Sequence, residues 1–143
     1  MRRRNHRGTA LVETAVTLPL VLLVSVGIFE FGRAYQVFQV CTNAAREGAR
    51  LSVLPGTTDT DVKNRVTAYL KAGQVTQTPD PSWVTVDHTK TVSIGTGTAP
   101  ATQVTINYPY TFIVLNPVAK LVSHGTTLGG AFTMSTTALM RDE

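Results

Sequence analysis

Between Thr9 and Phe29 the chain runs for 21 residues with a single charged side chain, Glu13. Wound as a helix at 1.5 Å per residue, that stretch is about 31 Å long, close to the thickness of a bilayer's hydrocarbon core. Arg2, Arg3, Arg4 and Arg7 precede it, and the first charges beyond it are Glu30 and Arg33. Arginines on one flank and sparse charge on the other predict that the N-terminal side stays in the cytoplasm. The span therefore divides the chain into three expected parts. Residues 1–8 form a basic leader, 9–30 a transmembrane helix, and 31–143 an α+β domain outside the cytoplasm that includes the continuation of the helix.

The same arginines explain the high calculated pI of 9.6. Removing those four from the 13 Lys and Arg residues leaves nine basic side chains against nine acidic ones. The remainder is formally neutral and has no basic run, so a nucleic-acid partner is not expected. The chain is apolar enough to build a core and too poor in charge for a disordered tail. Cys41 is the single cysteine, so the domain must be stable without an internal disulfide, and the residue reads as a small side chain packed on a helix face.

Three accounts of the N-terminus compete. A cleaved secretory signal needs a small-residue cut site after its apolar core, and Phe29-Glu30-Phe31-Gly32-Arg33 is a poor one. An uncleaved anchor explains the hydrophobicity but not Glu13. A carboxylate inside a membrane helix costs about 2.5–3.5 kcal/mol on insertion scales, less near an end, and usually has a partner. Either Glu13 sits at the cytoplasmic interface among headgroups, or the chain is cut after Gly8. In that case Thr9 gains a free α-amino group, positive below a pKa near 8. In an assembled bundle the Glu13 carboxylate would then neutralise the new terminus of an adjacent subunit.

Arg7-Gly8-Thr9-Ala10-Leu11-Val12-Glu13, Leu18-Pro19-Leu20, Gly27-Ile28-Phe29-Glu30-Phe31-Gly32-Arg33 and the run from Asn43 to Arg50 resemble the TadE-like minor pilins of the tight-adherence (Flp) pilus system. Val104 to Pro109 and Thr136 to Arg141 are also similar to that family. Thr14 departs from the aromatic residue that often follows the glutamate there. The resemblance implies a pilin-like fold and a prepilin peptidase acting between Gly8 and Thr9. It also implies assembly with other pilin subunits and the pilus machinery.

Beyond the span no turn signal appears until Pro55-Gly56, so one helix is expected from about Thr9 to Ser52. Phe31, Ala34, Tyr35, Phe38, Cys41, Ala45, Gly48 and Ala49 recur at three and four. Pro19 removes one backbone donor and is expected to bend the helix. The small pairs Ala44/Gly48 and Ala45/Ala49 permit close approach of another element, either a second subunit or the domain's own sheet. Glu47 and Arg50 are placed to pair at i, i+3. Thr58 reads as the N-cap of a second helix with apolar Val62, Val66 and Leu70, ended by Gly73. After Pro79-Asp80-Pro81 the period changes to two. Trp83–Val86 and Thr91–Ile94 read as short strands separated by a turn at Asp87-His88, Gly95–Pro100 as a loop, and Gln103–Phe112 as a longer strand with Pro109 at an edge or bulge. A short helix over Asn116–His124, a loop over Gly125–Gly130 and a last strand over Ala131–Met140 complete the pattern. The expected class is α+β, a small antiparallel sheet laid on a long N-terminal helix.

No catalytic constellation is visible, and no metal or cofactor site is expected. His6, His88 and His124 are scattered, and there is no nucleophile elbow, Walker loop or dinucleotide glycine pattern. Trp83, Tyr108, Tyr110 and Phe112 alternate on strands, as core aromatics or as the lining of a sugar-binding face. The chain thus reads as a non-enzymatic, single-pass inner-membrane pilin subunit in contact with lipid. The alternative is an uncleaved, membrane-anchored module that binds a ligand or sugar outside the cytoplasm.

Overall fold

The computed structural model describes residues 6–114, Asn116 and 131–142. The expected helix at 116–124 and loop at 125–130 therefore lie, apart from Asn116, outside the described residues. Helix α1 runs from His6 to Ser52 without interruption, 47 residues and about 70 Å, with Pro19 inside it. Helix α2 follows over Asp59–Ala72. After a single 3-10 turn at Pro81–Trp83, three strands form one antiparallel sheet in the order β1-β2-β3: β1 Val84–Ile94, β2 Gly97–Tyr110 and β3 Phe132–Arg141.

The two halves of α1 live in different surroundings. From Gly8 to Val24 every residue is exposed; after a half-buried stretch at 25–27, Ile28 and Phe29 are bare again, Phe29 at 81%. An apolar helix of that length with no protein cover is of the size and composition that cross a membrane. From Glu30 onward one stripe is buried: Glu30, Ala34, Val37, Cys41, Ala44, Ala45, Gly48 and Ala49. The spacing of three and four is helical, as expected, but the seam begins one position earlier than the aromatics suggest. Phe31, Tyr35 and Phe38 lie on the neighbouring stripe and remain exposed. The side chains that meet the sheet are mostly small, and this lets the backbones approach.

Where α1 meets both α2 and the central strand, the tightest point is Gly48. A Cβ there would lie 2.6 Å from Val66 of α2 and 3.3 Å from Val104 of β2. The small residues at 44–49 are thus packed inside this chain, against its own second helix and central strand. Gly73 is needed for a similar reason. Its φ of −74° is ordinary, and a Cβ would collide with Val40 of α1. The left-handed residue that ends α2 is Gln74, at φ 52°. At the other end of α2, Thr58 caps as expected and forms a reciprocal box with Asp61: its hydroxyl accepts from the Asp61 N–H, and the Asp61 carboxylate accepts from the Thr58 N–H. Glu47 does not pair with Arg50 but reaches across to Arg65 of α2 at 2.8 Å.

The sheet corrects two readings. The two short strands expected around Asp87-His88 are one strand, β1, whose register shifts between Asp87 and Lys90. The carboxylate of Asp87 accepts from the N–H and hydroxyl of Thr89, and together with Lys90 these bonds hold it down at a pKa of about 2. Polar residues that resemble a turn are a bulge. The loop expected at Gly95–Pro100 shrinks to Gly95-Thr96, because Ile94 already pairs with Gly97. Both prolines of the central strand are tolerated for one reason. Pro109 lies beyond Ile106, where β1 ends, and Pro100 lies before Ala101, where β3 ends, so each has a ladder partner on one side only. Alternate residues of β2, Val104, Ile106, Tyr108 and Tyr110, face the helices and form the core with Val62, Val66 and Leu70.

This packing makes Gly48 the most size-sensitive position of the helix–sheet seam. Gly48→Val should lower stability by about 1–3 kcal/mol, the usual cost of overpacking. Gly97→Ala, with nothing within 4 Å of its Cβ, should stay within about 0.5 kcal/mol. Denaturant titration of the full chain in detergent micelles, followed by Trp83 fluorescence, measures both.

Candidate functional site

The residues singled out in the sequence fall into two groups at opposite ends of α1. Gly8, Thr9 and Glu13 occupy its first turns. Gly8 is exposed and a Cβ there would meet nothing, so the backbone is open to another molecule. Glu13 follows Thr9 by four residues, which stacks the two on one face of the helix. It is exposed, and among the described residues its carboxylate has no ion-pair or hydrogen-bond partner. Thr14, at the position where the resembled family often has an aromatic, donates its hydroxyl to the Ala10 carbonyl at 2.9 Å, and Thr17 does the same to Glu13. Such back-bonding keeps hydroxyls satisfied on an apolar helix. The second group, Ala44, Ala45, Gly48 and Ala49, lies more than thirty residues along the helix and is fully covered, as described above.

A third cluster, at the end of the apolar span, was not anticipated. Glu30 is only 4% exposed. Its carboxylate accepts from the backbone N–H of Ile113 at 3.0 Å and of Val114 at 2.7 Å. Those two residues follow directly on the sheet's aromatic end. One turn further along α1, Arg33 donates to the Thr76 hydroxyl and lies over the Tyr110 ring at 5.9 Å. Phe31, Phe112, Tyr110 and Phe132 form a chain of edge-on and tilted aromatic contacts beside it, with centroids 5.4–6.4 Å apart. Burial is the main reason that the Tyr110 hydroxyl is pushed above its ordinary pKa. The sequence did hold a signal for Glu30. It stands four, seven and eleven residues before Ala34, Val37 and Cys41, on the buried phase of the helix.

The alternating aromatics are core. Tyr108 and Tyr110 are fully buried, Trp83 packs edge-on against Tyr108, and the Tyr108 hydroxyl accepts from the Gln77 N–H at 3.0 Å. They are not available as a sugar platform. His88 bridges Asp59 of α2 and Thr102 of β2, each at 2.9 Å. The trio resembles a hydrolytic triad in composition, but Thr102 is buried and donates its hydroxyl hydrogen to Asp142 at 2.8 Å. Its oxygen therefore accepts from the imidazole, the reverse of what a base-activated nucleophile requires. The network ties the start of α2 to the sheet. Among the described residues no group of three or more His, Cys, Asp or Glu side chains is placed to hold a metal.

The arrangement defines a class: a small α+β domain built on the distal half of one helix whose proximal half is bare, apolar and long enough to span a membrane. Residues 8–50, nearly the whole of α1, match the family model described as TadE-like protein. The resemblance read from the sequence is thus shown over that segment, which carries Glu13, Glu30 and the small residues at 44–49. Neither the curated proteins nor the solved structures gave a match.

Removing the Glu30 acceptor would leave two N–H groups unpaired beside the core. Glu30→Ala should destabilise the full chain in micelles by about 1–3 kcal/mol, and Glu30→Gln, which keeps an acceptor, by less. Equal stability of all three forms in a denaturant titration would show that the contact contributes nothing.

Proposed function

We propose that this chain is a minor pilin-like structural subunit of a tight-adherence (Flp-type) pilus, held in the inner membrane by α1 and processed between Gly8 and Thr9. The single observation that carries the reading is the TadE-like match over α1, a helix that is bare and apolar before Glu30 and forms the core of a domain after it. A subunit built this way has a ready route from bilayer to filament. The bare half exchanges lipid for the helices of other subunits, and the domain travels as a rigid head. The partners are membrane lipid, a prepilin peptidase, other pilin subunits and the assembly machinery. The role is structural, not enzymatic. The N-terminal side lies in the cytoplasm and the domain outside it.

Gly8 and Glu13 act at separate steps. Glycine offers no side chain to clash in a peptidase cleft, so Gly8→Val should leave the leader attached, and its arginines then hold the subunit in the membrane. Glu13→Ala makes the span more apolar, so insertion and cleavage should be close to normal. Incorporation should fail, because the new amino group on Thr9 loses its counter-charge, and an unpaired charge inside an assembly costs several kcal/mol before relaxation. Mass spectrometry of the mature terminus reads the first step, and co-purification with partner pilins reads the second. Wild-type protein that retains residues 1–8, or Glu13→Ala protein that assembles normally, would favour the uncleaved binding module instead.

A further inference from the structure

The sheet runs alongside α1 in a way that brings its last residues back to the end of the apolar span. Gly48 faces Val104, and Glu30 holds Ile113 and Val114. Eighteen helical residues at 1.5 Å and nine extended residues at about 3.3 Å cover nearly the same distance, roughly 27–30 Å. The two elements therefore meet again at the level of Glu30, one residue beyond Phe29. Around that meeting point the apolar side chains are bare: Ile28, Phe29 and Phe31 on the helix, and Ile113 and Val114, 55% and 42% exposed, on the chain leaving the sheet.

The backbone there is prepared for a medium poor in water. An irregular segment brings unpaired N–H groups, which become costly as water thins out unless something accepts them. The N–H groups of Ile113 and Val114 both end on the Glu30 carboxylate, itself covered from solvent. Their side chains are left pointing away from the core beside the lipid-facing helix. We propose that Ile113 and Val114, with Phe29 and Phe31, form a second contact with the membrane: a foot that rests in the interfacial layer of the phospholipid bilayer and fixes the domain's tilt on its anchor. The occupant of this surface is phospholipid, because it is continuous with the bare span and begins within a residue of its end. The interfacial layer is about 5–8 Å deep on each side of the hydrocarbon core, deep enough to receive Phe31 and the foot together. The inference rests on α1 spanning the bilayer, as proposed above.

The test uses the full chain in phosphatidylcholine–phosphatidylglycerol bilayers, with a fluorophore on a cysteine introduced at one of three places. Leu22→Cys lies within the span. Ile113→Cys lies on the foot. Thr96→Cys lies in the turn just before β2, about 55 Å from Ile113 measured along an extended chain. Cys41 is buried and its thiol is raised to about 11, so the unsubstituted chain serves as the labelling blank. Lipid carrying a nitroxide high on its acyl chain should quench the labels at 22 and 113 and spare the label at 96. In a Glu30→Ala background the label at 113 should lose at least half of its lipid quenching while the label at 22 keeps it. Quenching at 22 but not at 113 overturns the foot and leaves the span intact. Absence of quenching at 22 overturns the spanning helix itself. Quenching at 113 that persists undiminished without Glu30 overturns the tether as its cause.

Discussion

One carboxylate marks where α1 stops being bare and apolar and becomes part of a domain. Glu30 sits on the first buried position of α1, immediately after the bare apolar run, and accepts two backbone N–H groups from the far end of the sheet. Charge-assisted bonds of this kind are stronger than neutral ones, and removing the carboxylate leaves two donors without their acceptor. The interaction closes a long circuit: out along α1, back along α2, and down the sheet to the level at which the bare apolar run of α1 ends. Arg33 and Tyr110 add a second layer just above it. Without this closure the sheet would still pack on Ala44–Ala49, but its lower end would be free to splay from the helix.

The rest of α1 follows from having to serve two environments. In its first half, large apolar side chains on every face suit a surrounding of hydrocarbon. In its second half the packed stripe is mostly small, and the larger exposed aromatics lie on the next stripe round. Size grades the helix as sharply as polarity does. Ala44, Ala45 and Gly48 let α2 and β2 come close enough for Val62, Val66 and Val104 to meet over the helix backbone. The same small-residue spacing serves helix pairing inside membranes. Here it is used up within the chain and does not remain on the surface for a second subunit.

Much of the fold was legible in the sequence because its signals are local. The length of α1, the cap at Thr58, the period-two strands and the class of fold all depend on residues a few positions apart. The misreadings share a cause as well. Asp87-His88 carries the polar signature of a turn, but the strand continues because Asp87 satisfies the bulge's own backbone. Glu47 has a plausible partner three residues on and takes Arg65 on another helix instead. Gly73 looks like a conformational stop, yet what requires glycine there is Val40, thirty-three residues earlier. Glu30 is the clearest case. Helical phase puts it on the buried stripe, but its partners lie more than eighty residues away, and nothing local in the sequence names them. The candidate site at Gly8, Thr9 and Glu13 is visible in sequence alone, since nothing among the described residues covers it or adds to it.

A minor pilin of the kind proposed must keep its head fixed to its anchor while the anchor changes surroundings from lipid to protein. A single unbroken helix, fastened at the boundary, meets that need, and a flexible joint there would not. Hydrogen exchange of the backbone amides from Gly27 to Arg33, in the full chain within a bilayer, tests this most directly. The account predicts protection at Gly32 and Arg33 comparable to that of Cys41–Ala49 in the core. Rapid exchange across 28–33, with the core still protected, would contradict it: the helix would then break at the membrane surface, and the domain would hang from a hinge.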